Sequence, residues 1–137
     1  MQQIEFELVE VLDDGDAVMH LRAVDPDGAE QPRLSIWIGP QEAALIAIAA
    51  TARRAPRPLT HDLLQSLLQA FELEVERAVI TALRGDVFHA RLIVTGAGRQ
   101  RSIDCRPADA IALALREGAP MFVDDEVLQQ QALHAEP

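Results

Sequence analysis

Two stretches of this chain share a layout that predicts a strand running into a proline-started helix. In the second copy, Pro107 suits the first helical position and Gly118 suits the position just past the helix end. The first copy lies 67 residues earlier, and five of thirteen aligned positions are identical without a gap. Each copy places an acid two residues after the proline, Glu42 after Pro40 and Asp109 after Pro107. The repeat predicts a duplicated βββα unit.

The second copy predicts a buried helix with charged ends. The run Ala110–Leu115 is apolar on every side, as in helices that lie inside a core. Asp109 falls in the first turn and Arg116 in the last, where the helix dipole favours an acid and a cation respectively. The two share a face because they are seven residues apart. We expect these charged ends to be the parts that meet water.

Alternating apolar and polar residues predict the other strands, and proline and glycine mark their ends. The expected elements are a hairpin of Ile4–Val9 and Ala17–Val24, a strand Leu34–Ile38, a helix from Pro40 to about Arg53, a helix from His61 to about Phe71 capped by Thr60, a hairpin of Val75–Leu83 and Val87–Thr95, strands Ser102–Cys105 and Met121–Val123, and a last helix capped by Asp124 that runs to about Leu133. Residues 25–28 predict a turn and residues 53–58 an exposed basic connector. The order predicts a single α+β domain over residues 1–137, mainly antiparallel, with additional short helices and a frayed tail from about residue 133.

Composition limits the class of protein. At 137 residues the chain is expected to be one domain, and its one cysteine excludes an internal disulfide. The longest apolar run, Ala43–Ala50, is too short to span a bilayer, and no basic segment precedes an apolar one at the N-terminus. We therefore expect a cytoplasmic protein with no membrane partner.

Charge is unevenly distributed along the chain. The net charge of −10 argues against a nucleic-acid coat protein. Residues 1–30 hold nine acids and one arginine, whereas residues 33–116 hold eight acids and eleven arginines. A basic face could therefore lie opposite an acidic one. All twelve basic residues are arginine, which excludes Schiff-base chemistry and a P-loop, since both need lysine.

Three motifs carry a resemblance to a known family. They read Ile-Trp-Ile-Gly-Pro-Gln-Glu-Ala at 36–43, Arg-Pro-Leu-Thr-His-Asp-Leu-Leu at 57–64, and Ile-Asp-Cys-Arg-Pro-Ala-Asp-Ala-Ile-Ala-Leu-Ala-Leu-Arg at 103–116. In this order and spacing they resemble the bifunctional nuclease family of bacterial and plant domains. The resemblance implies cleavage of both DNA and RNA. Two departures are Ala108, where the family usually has serine, and Cys105, where it usually has a small apolar residue.

The same motifs contain the residue types that phosphodiester hydrolysis needs, namely carboxylates, a histidine and arginines. The candidate catalytic residues are His61, as general base, with Asp62, Asp104 and Asp109; the candidate phosphate-binding residues are Arg57, Arg106 and Arg116; and a divalent metal such as Mg²⁺ is assigned to Asp104, Asp109 and Glu42. The expected function is a nuclease of low sequence specificity that acts on DNA and RNA and forms a homodimer.

Other interpretations of these residues stay open. First-turn acids are ordinarily caps or members of structural ion pairs, and His61 could be a solvated first-turn residue. Cys105 could be an activated nucleophile beside Arg106, although a small packing residue is the simpler interpretation. The alternative function is a non-catalytic anion-binding or regulatory dimeric module, and a purely structural dimerisation domain is a third possibility.

Overall fold

Seven strands and four helices account for the parts of the chain that the structure describes. The computed structural model describes residues 1–24, 32–51 and 55–134, with side chains as far as residue 131. The strands are β1 (Gln2–Val11), β2 (Ala17–Ala23), β3 (Arg33–Ile38), β4 (Glu74–Arg84), β5 (Val87–Gly96), β6 (Arg99–Cys105) and β7 (Met121–Val123). The helices are α1 (Pro40–Thr51), α2 (Thr60–Ala70), α3 (Pro107–Glu117) and α4 (Asp125–His134).

The strands form one sheet in the order β3-β2-β1-β7-β4-β5-β6. Strands β1–β3 and strands β4–β6 are two antiparallel meanders, joined by β7. β7 pairs antiparallel with β1 and parallel with β4, which is the one parallel pair among the described strands. The expected α+β class with a mainly antiparallel sheet is confirmed.

The predicted repeat appears as two successive βββα segments. Strands β1–β3 lead into α1, and strands β4–β6 lead into α3. α1 packs on β1 and β2, α3 packs on β4 and β5, and the two helices pack on each other. β3 and β6, the strands that feed the helices, are the two edges of the sheet. Both helices therefore begin near a sheet edge, where their first turns can meet solvent.

The core lies between the sheet and α1, α3 and α4. Its largest fully buried side chains come from five of the strands and from these three helices: Ile4, Met19, Leu21, Leu34, Ile46, Ile80, Ile111, Val123 and Val127. Residues 110–114 of α3 are all buried, as the apolar run predicts. Gly118 closes α3 in the left-handed conformation (φ 66°), which explains why glycine stands there.

α2 differs from its prediction. Its N-cap is Leu59, and Thr60 is the first helical residue, so the expected Thr60 cap is wrong. The cause is Asp62, whose Oδ2 accepts the Leu59 backbone N–H at 2.8 Å and so stabilises the first turn from inside the helix. The four leucines of α2 lie at the spacing of one apolar stripe, but Leu63, Leu64 and Leu67 are exposed and Leu68 alone packs against the core.

Three predicted segments fall wholly or partly outside the described residues. The turn at 25–28 lies outside them, as do residues 53 and 54 of the basic connector and residues 135–137 of the tail. α4 continues to His134, one residue past its expected end. Among the described residues, no helix combines the length and apolar character needed to cross a membrane.

Candidate functional site

Three side chains that differ in charge and in burial, one of them from α2, meet at the start of α3. Pro107 begins the helix and Arg106 is its N-cap, which places Asp109 at the third helical position. Because the next residues are buried, the first turn is fixed against the core and Asp109 faces the start of α2. We call His61, Arg106 and Asp109 the Asp109 cluster.

His61 is the buried member of the Asp109 cluster. Its Nε2 lies 3.0 Å from Asp109 Oδ1, and its side chain is 3% exposed. Since a carboxylate accepts, Nε2 carries the hydrogen and donates it. Nδ1 is buried and has no hydrogen-bond partner in the described part of the chain. In this conformation His61 reaches a substrate only through Asp109.

Arg106 is the exposed member. Its Nε donates to Asp109 Oδ2 at 2.9 Å and its Nη2 to Asp109 Oδ1 at 3.5 Å. Its side chain is 65% exposed, and Nη1 lies 3.9 Å from Glu42 Oε2. The guanidinium therefore lies between two carboxylates of successive repeats while its outer edge faces solvent.

The neighbours of Asp109 set its ionisation. Burial raises the pKa of Asp109, but hydrogen bonds and charge from Arg106 and His61 outweigh burial, and the pKa falls below its ordinary value of 3.8. The same hydrogen bond to Asp109 raises the pKa of Arg106. At neutral pH this site therefore holds an ionised carboxylate that its partners keep oriented.

Asp62 belongs to a separate network on the other side of α2. Besides its contact with the Leu59 backbone, Asp62 Oδ1 accepts from Arg116 Nη1 at 2.6 Å. Arg116 Nη1 also donates to Gln65 Oε1 at 3.0 Å. The Arg116 side chain is only 9% exposed, so the expectation of water contact is wrong for Arg116, although Glu117 beside it is exposed. This network fastens α2 to α3, and a catalytic role for Asp62 or a phosphate role for Arg116 stays a prediction.

Of the remaining candidates, Glu42 meets the Asp109 cluster through Arg106 alone, and Asp104 and Arg57 lie apart from it. Glu42 Oε1 accepts the Gly39 backbone N–H at 3.1 Å, which is the capping contact of α1. Asp104 alternates along β6 with Ile103 and Cys105, which face α2, so Asp104 lies on the opposite face of the sheet. Arg57 is exposed in the segment before α2.

These positions do not fit the expected three-carboxylate metal site. Both oxygens of Asp109 already accept hydrogen bonds, and Arg106 lies between Asp109 and Glu42 where a bridging cation would lie. Among the described residues, no group of three or more His, Cys, Asp or Glu side chains is placed to hold a metal ion. The metal assignment to Asp104, Asp109 and Glu42 stays a prediction, and no catalytic step below depends on it.

Cys105 lies beside the Asp109 cluster without the chemistry of a nucleophile. Burial, followed by the charges of Asp109 and Asp104, raises the pKa of the Cys105 thiol from 9.0 to about 11. The thiol is thus protonated at neutral pH, whereas the thiolate is the reactive form. The contacts favour a packing role.

An apolar groove of about 410 Å³ opens next to the Asp109 cluster. We call it the α2–β6 groove. Its α2 wall includes Leu64, Leu67 and Phe71, its sheet wall includes Val94 and Ile103, and its end is formed by His61, Arg106 and Asp109. The site is therefore a small charged cluster at the end of a largely apolar channel.

A family model described as the bifunctional nuclease domain matches residues 25–136. The chain belongs to the bifunctional nuclease domain family. The resemblance found in the three sequence motifs is confirmed, and the match includes both Glu42 and the whole Asp109 cluster.

Two relatives of this bifunctional nuclease domain come from Mycobacterium tuberculosis. They are named Uncharacterized protein MT1877, in strain CDC 1551 / Oshkosh, and Uncharacterized protein Rv1829, in strain ATCC 25618 / H37Rv. Each is 41% identical to this chain over 100 residues, which is 73% of this chain and 59% of the relative. The chain thus matches less than two thirds of each relative's length.

Sequence reasoning missed the groove residues of this bifunctional nuclease domain. The spacing of the leucines predicts one apolar stripe along α2, and Phe71 marks the expected end of that helix. One signal was available: Leu64, Leu67 and Phe71 recur at helical spacing on one face, and an apolar stripe of this kind can line a binding surface as well as a core. Which of the two it serves depends on what packs against α2, and the structure leaves these three side chains exposed.

Proposed function

We propose that this bifunctional nuclease domain hydrolyses phosphodiester bonds in DNA and RNA, with low sequence specificity, at the Asp109 cluster. Family membership supports the reaction class. The observation that carries the site is the environment of Asp109, an ionised, partly exposed carboxylate held between a buried histidine and an exposed arginine.

The comparison with the other first-turn acids supports this choice. Glu42, Asp62 and Asp109 all occupy the third position of a helix. Glu42 and Asp62 each accept the backbone N–H of their own N-cap, which is a structural contact. Asp109 instead accepts from two side chains of unlike burial. A carboxylate has about four acceptor positions, so a water molecule can also bind it.

The roles follow from exposure. Arg106 contacts the phosphate, since its outer donors face solvent and guanidinium matches phosphate geometry. Asp109 accepts a hydrogen bond from the attacking water and orients it; its lowered pKa makes it a weak base, so orientation is its main contribution. The water oxygen bonds to phosphorus and loses its proton to solvent, the bond to the leaving sugar oxygen breaks, and solvent protonates that oxygen. His61 positions Asp109 and does not touch the substrate.

A matched set of variants tests the site. Asp109→Asn keeps the size of the side chain and removes its charge, and should slow cleavage of labelled DNA and RNA about 100-fold, as expected when a reacting group is misplaced. Glu10→Gln is the control, because Glu10 contacts His20 Nε2 at 3.0 Å in a similar pair far from α3. It should cleave at the wild-type rate, and Glu42→Gln should lose less than Asp109→Asn. Equal cleavage by wild type and Asp109→Asn at the same folded concentration would remove the site assignment.

The alternative function is a non-catalytic anion-binding or regulatory module. It is favoured by the ion pairing of Asp109, which resembles a structural contact, and by the absence of a metal-ligand cluster in the described residues. It predicts anion binding at Arg106 with no cleavage by the wild-type protein under any metal condition. The homodimer expected from the sequence stays a prediction, which light scattering at micromolar concentration tests.

A further inference from the structure

The α2–β6 groove leaves several large apolar side chains exposed along both of its walls. Phe71 is 72% exposed at one end, and Leu67 and Ile103 are about half exposed along its walls. Asp109 is the one acid among the described residues that line the groove. An exposed apolar channel of this kind marks a binding surface.

One rim of the groove is basic. Residues 99, 101, 103 and 105 of β6 share a sheet face because side chains alternate along a strand. Arg101 therefore lies on the same face as Ile103, which lines the groove, and Arg106 follows at the end of the strand. Asp104, the acid of this strand, lies on the other face. A chain with a net charge of −10 thus presents arginines next to its apolar channel.

The length of the groove suits a few nucleotides. His61 and Phe71 are ten residues apart on α2, or roughly 15 Å at 1.5 Å per residue. Arg101 and Arg106 are five residues apart, or roughly 16 Å at 3.3 Å per residue in a strand. The basic rim therefore runs along the whole apolar wall, and a stacked strand advances about 3.4 Å per nucleotide.

We propose that the α2–β6 groove binds an unpaired segment of the nucleic-acid substrate, with bases on the apolar wall around Phe71 and phosphates along Arg101 and Arg106. This inference rests on the proposed nuclease function and names its substrate class as single-stranded. A charged rim that follows the backbone beside an aromatic side chain is how proteins bind single strands without reading sequence. Double-stranded DNA or RNA cannot place its bases on Phe71, because those bases are paired and stacked inside the duplex.

The first experiment measures binding without cleavage. A fluorescent 12-mer of phosphorothioate DNA is titrated with protein and followed by anisotropy. Phe71→Ala should weaken binding at least about five-fold, because stacking one base contributes about 1–3 kcal/mol and 1.4 kcal/mol is ten-fold. Trp37→Ala is the matched control, since Trp37 is a similarly exposed aromatic on the opposite sheet edge. It should bind as wild type does.

Two further ligands separate the base contacts from the phosphate contacts. An abasic 12-mer with the same phosphates should bind weakly, and equally to wild type and Phe71→Ala. Arg101→Gln should weaken both oligonucleotides and lower the salt dependence of binding by about one phosphate contact. Duplex DNA should bind more weakly than the single strand. Equal affinity of wild type for the normal and abasic strands would overturn the inference.

The failure of this inference and the failure of the proposed function give different results. If the wild-type protein cleaves DNA but Phe71→Ala changes neither binding nor cleavage, the groove does not bind the substrate and the proposed nuclease function is unaffected. If binding depends on bases and on Phe71 but nothing is cleaved, the groove binds single strands and the proposed nuclease function is wrong. If Phe71→Ala dissociates a dimer in sedimentation and leaves oligonucleotide binding unchanged, the groove is a contact between two copies and the inference is overturned.

Discussion

Three acids at the same helical position have different tasks because their neighbours differ. Glu42 and Asp62 accept the backbone N–H of their own N-caps, and Asp62 also accepts from Arg116 of α3. Asp109 instead accepts from His61 of α2 and from Arg106. In the first repeat, Trp37 and Gly39 occupy the positions of Asp104 and Arg106, so Glu42 has no adjacent arginine of its own. The second repeat carries the richer chemistry, as its sequence indicates.

The lowered pKa of Asp109 predicts how its contacts depend on pH. A carboxyl whose pKa is lower in the folded state stabilises the fold above its unfolded pKa, near 3.9, and loses that contribution as pH falls through the folded pKa. At pH 7, Asp109→Asn should lower the free energy of unfolding by about 1–3 kcal/mol. The difference from wild type should shrink below pH 3.8. Urea unfolding at pH 7 and at pH 3 measures it, and a difference that grows in acid would contradict the assignment.

At the scale of elements, sequence reasoning recovered the strands and helices better than it recovered their contacts. Pro107, Gly118 and the buried alanines define α3 by local rules, so α3 was predicted residue by residue. The burial of α2 depends on which elements pack against it, and a local sequence pattern does not indicate those elements. Asp104 was grouped with Asp109 because the two are close in sequence. The alternation of Ile103 with Asp104 already places Asp104 on the other face.

The junction between α2 and the second hairpin depends on one glycine. A Cβ atom at Gly96 would lie 2.5 Å from Leu73 Cδ2 and 2.8 Å from the Glu72 carbonyl oxygen. Backbone cannot give way as a side chain can, so Gly96→Ala should lower the free energy of unfolding by about 1–3 kcal/mol through overpacking. Chemical denaturation measures the change.

Gly15→Ala is the control for that substitution. Gly15 has a positive φ of 92° but open space around it, so any loss of stability in Gly15→Ala comes from backbone strain alone. If Gly96→Ala is as stable as wild type, the close packing of residue 96 against Leu73 is contradicted.

At the scale of the whole molecule, a divalent metal can affect the stability of the free protein and the rate of cleavage separately. The carboxylate-rich, lysine-free candidate site predicts that cleavage needs a divalent metal, and Mg²⁺ is commonly held by one or two carboxylates together with substrate phosphates. Because the described residues offer no preformed cluster, neither 10 mM Mg²⁺ nor EDTA should shift the Tm of the free protein. EDTA should still abolish cleavage.

The two readouts together test the metal prediction. A metal ion present at 100 times its Kd would stabilise the protein by about 2.7 kcal/mol, which thermal unfolding detects easily. A Tm that falls by several degrees in EDTA would show a metal site that the described contacts do not explain. Full cleavage in excess EDTA would instead remove the metal from the reaction.

β7 makes the sheet depend on the order in which the chain is synthesised. Each meander pairs with itself and can form as soon as its own residues leave the ribosome, but β1 and β4 meet only through the three residues of β7. That strand follows the second meander and α3 in sequence. The N-terminal meander therefore exposes the unpaired edge of β1 until β7 has left the ribosome. The first 38 residues hold nine acids and two arginines, so the nascent meander carries a net negative charge that repels other nascent copies.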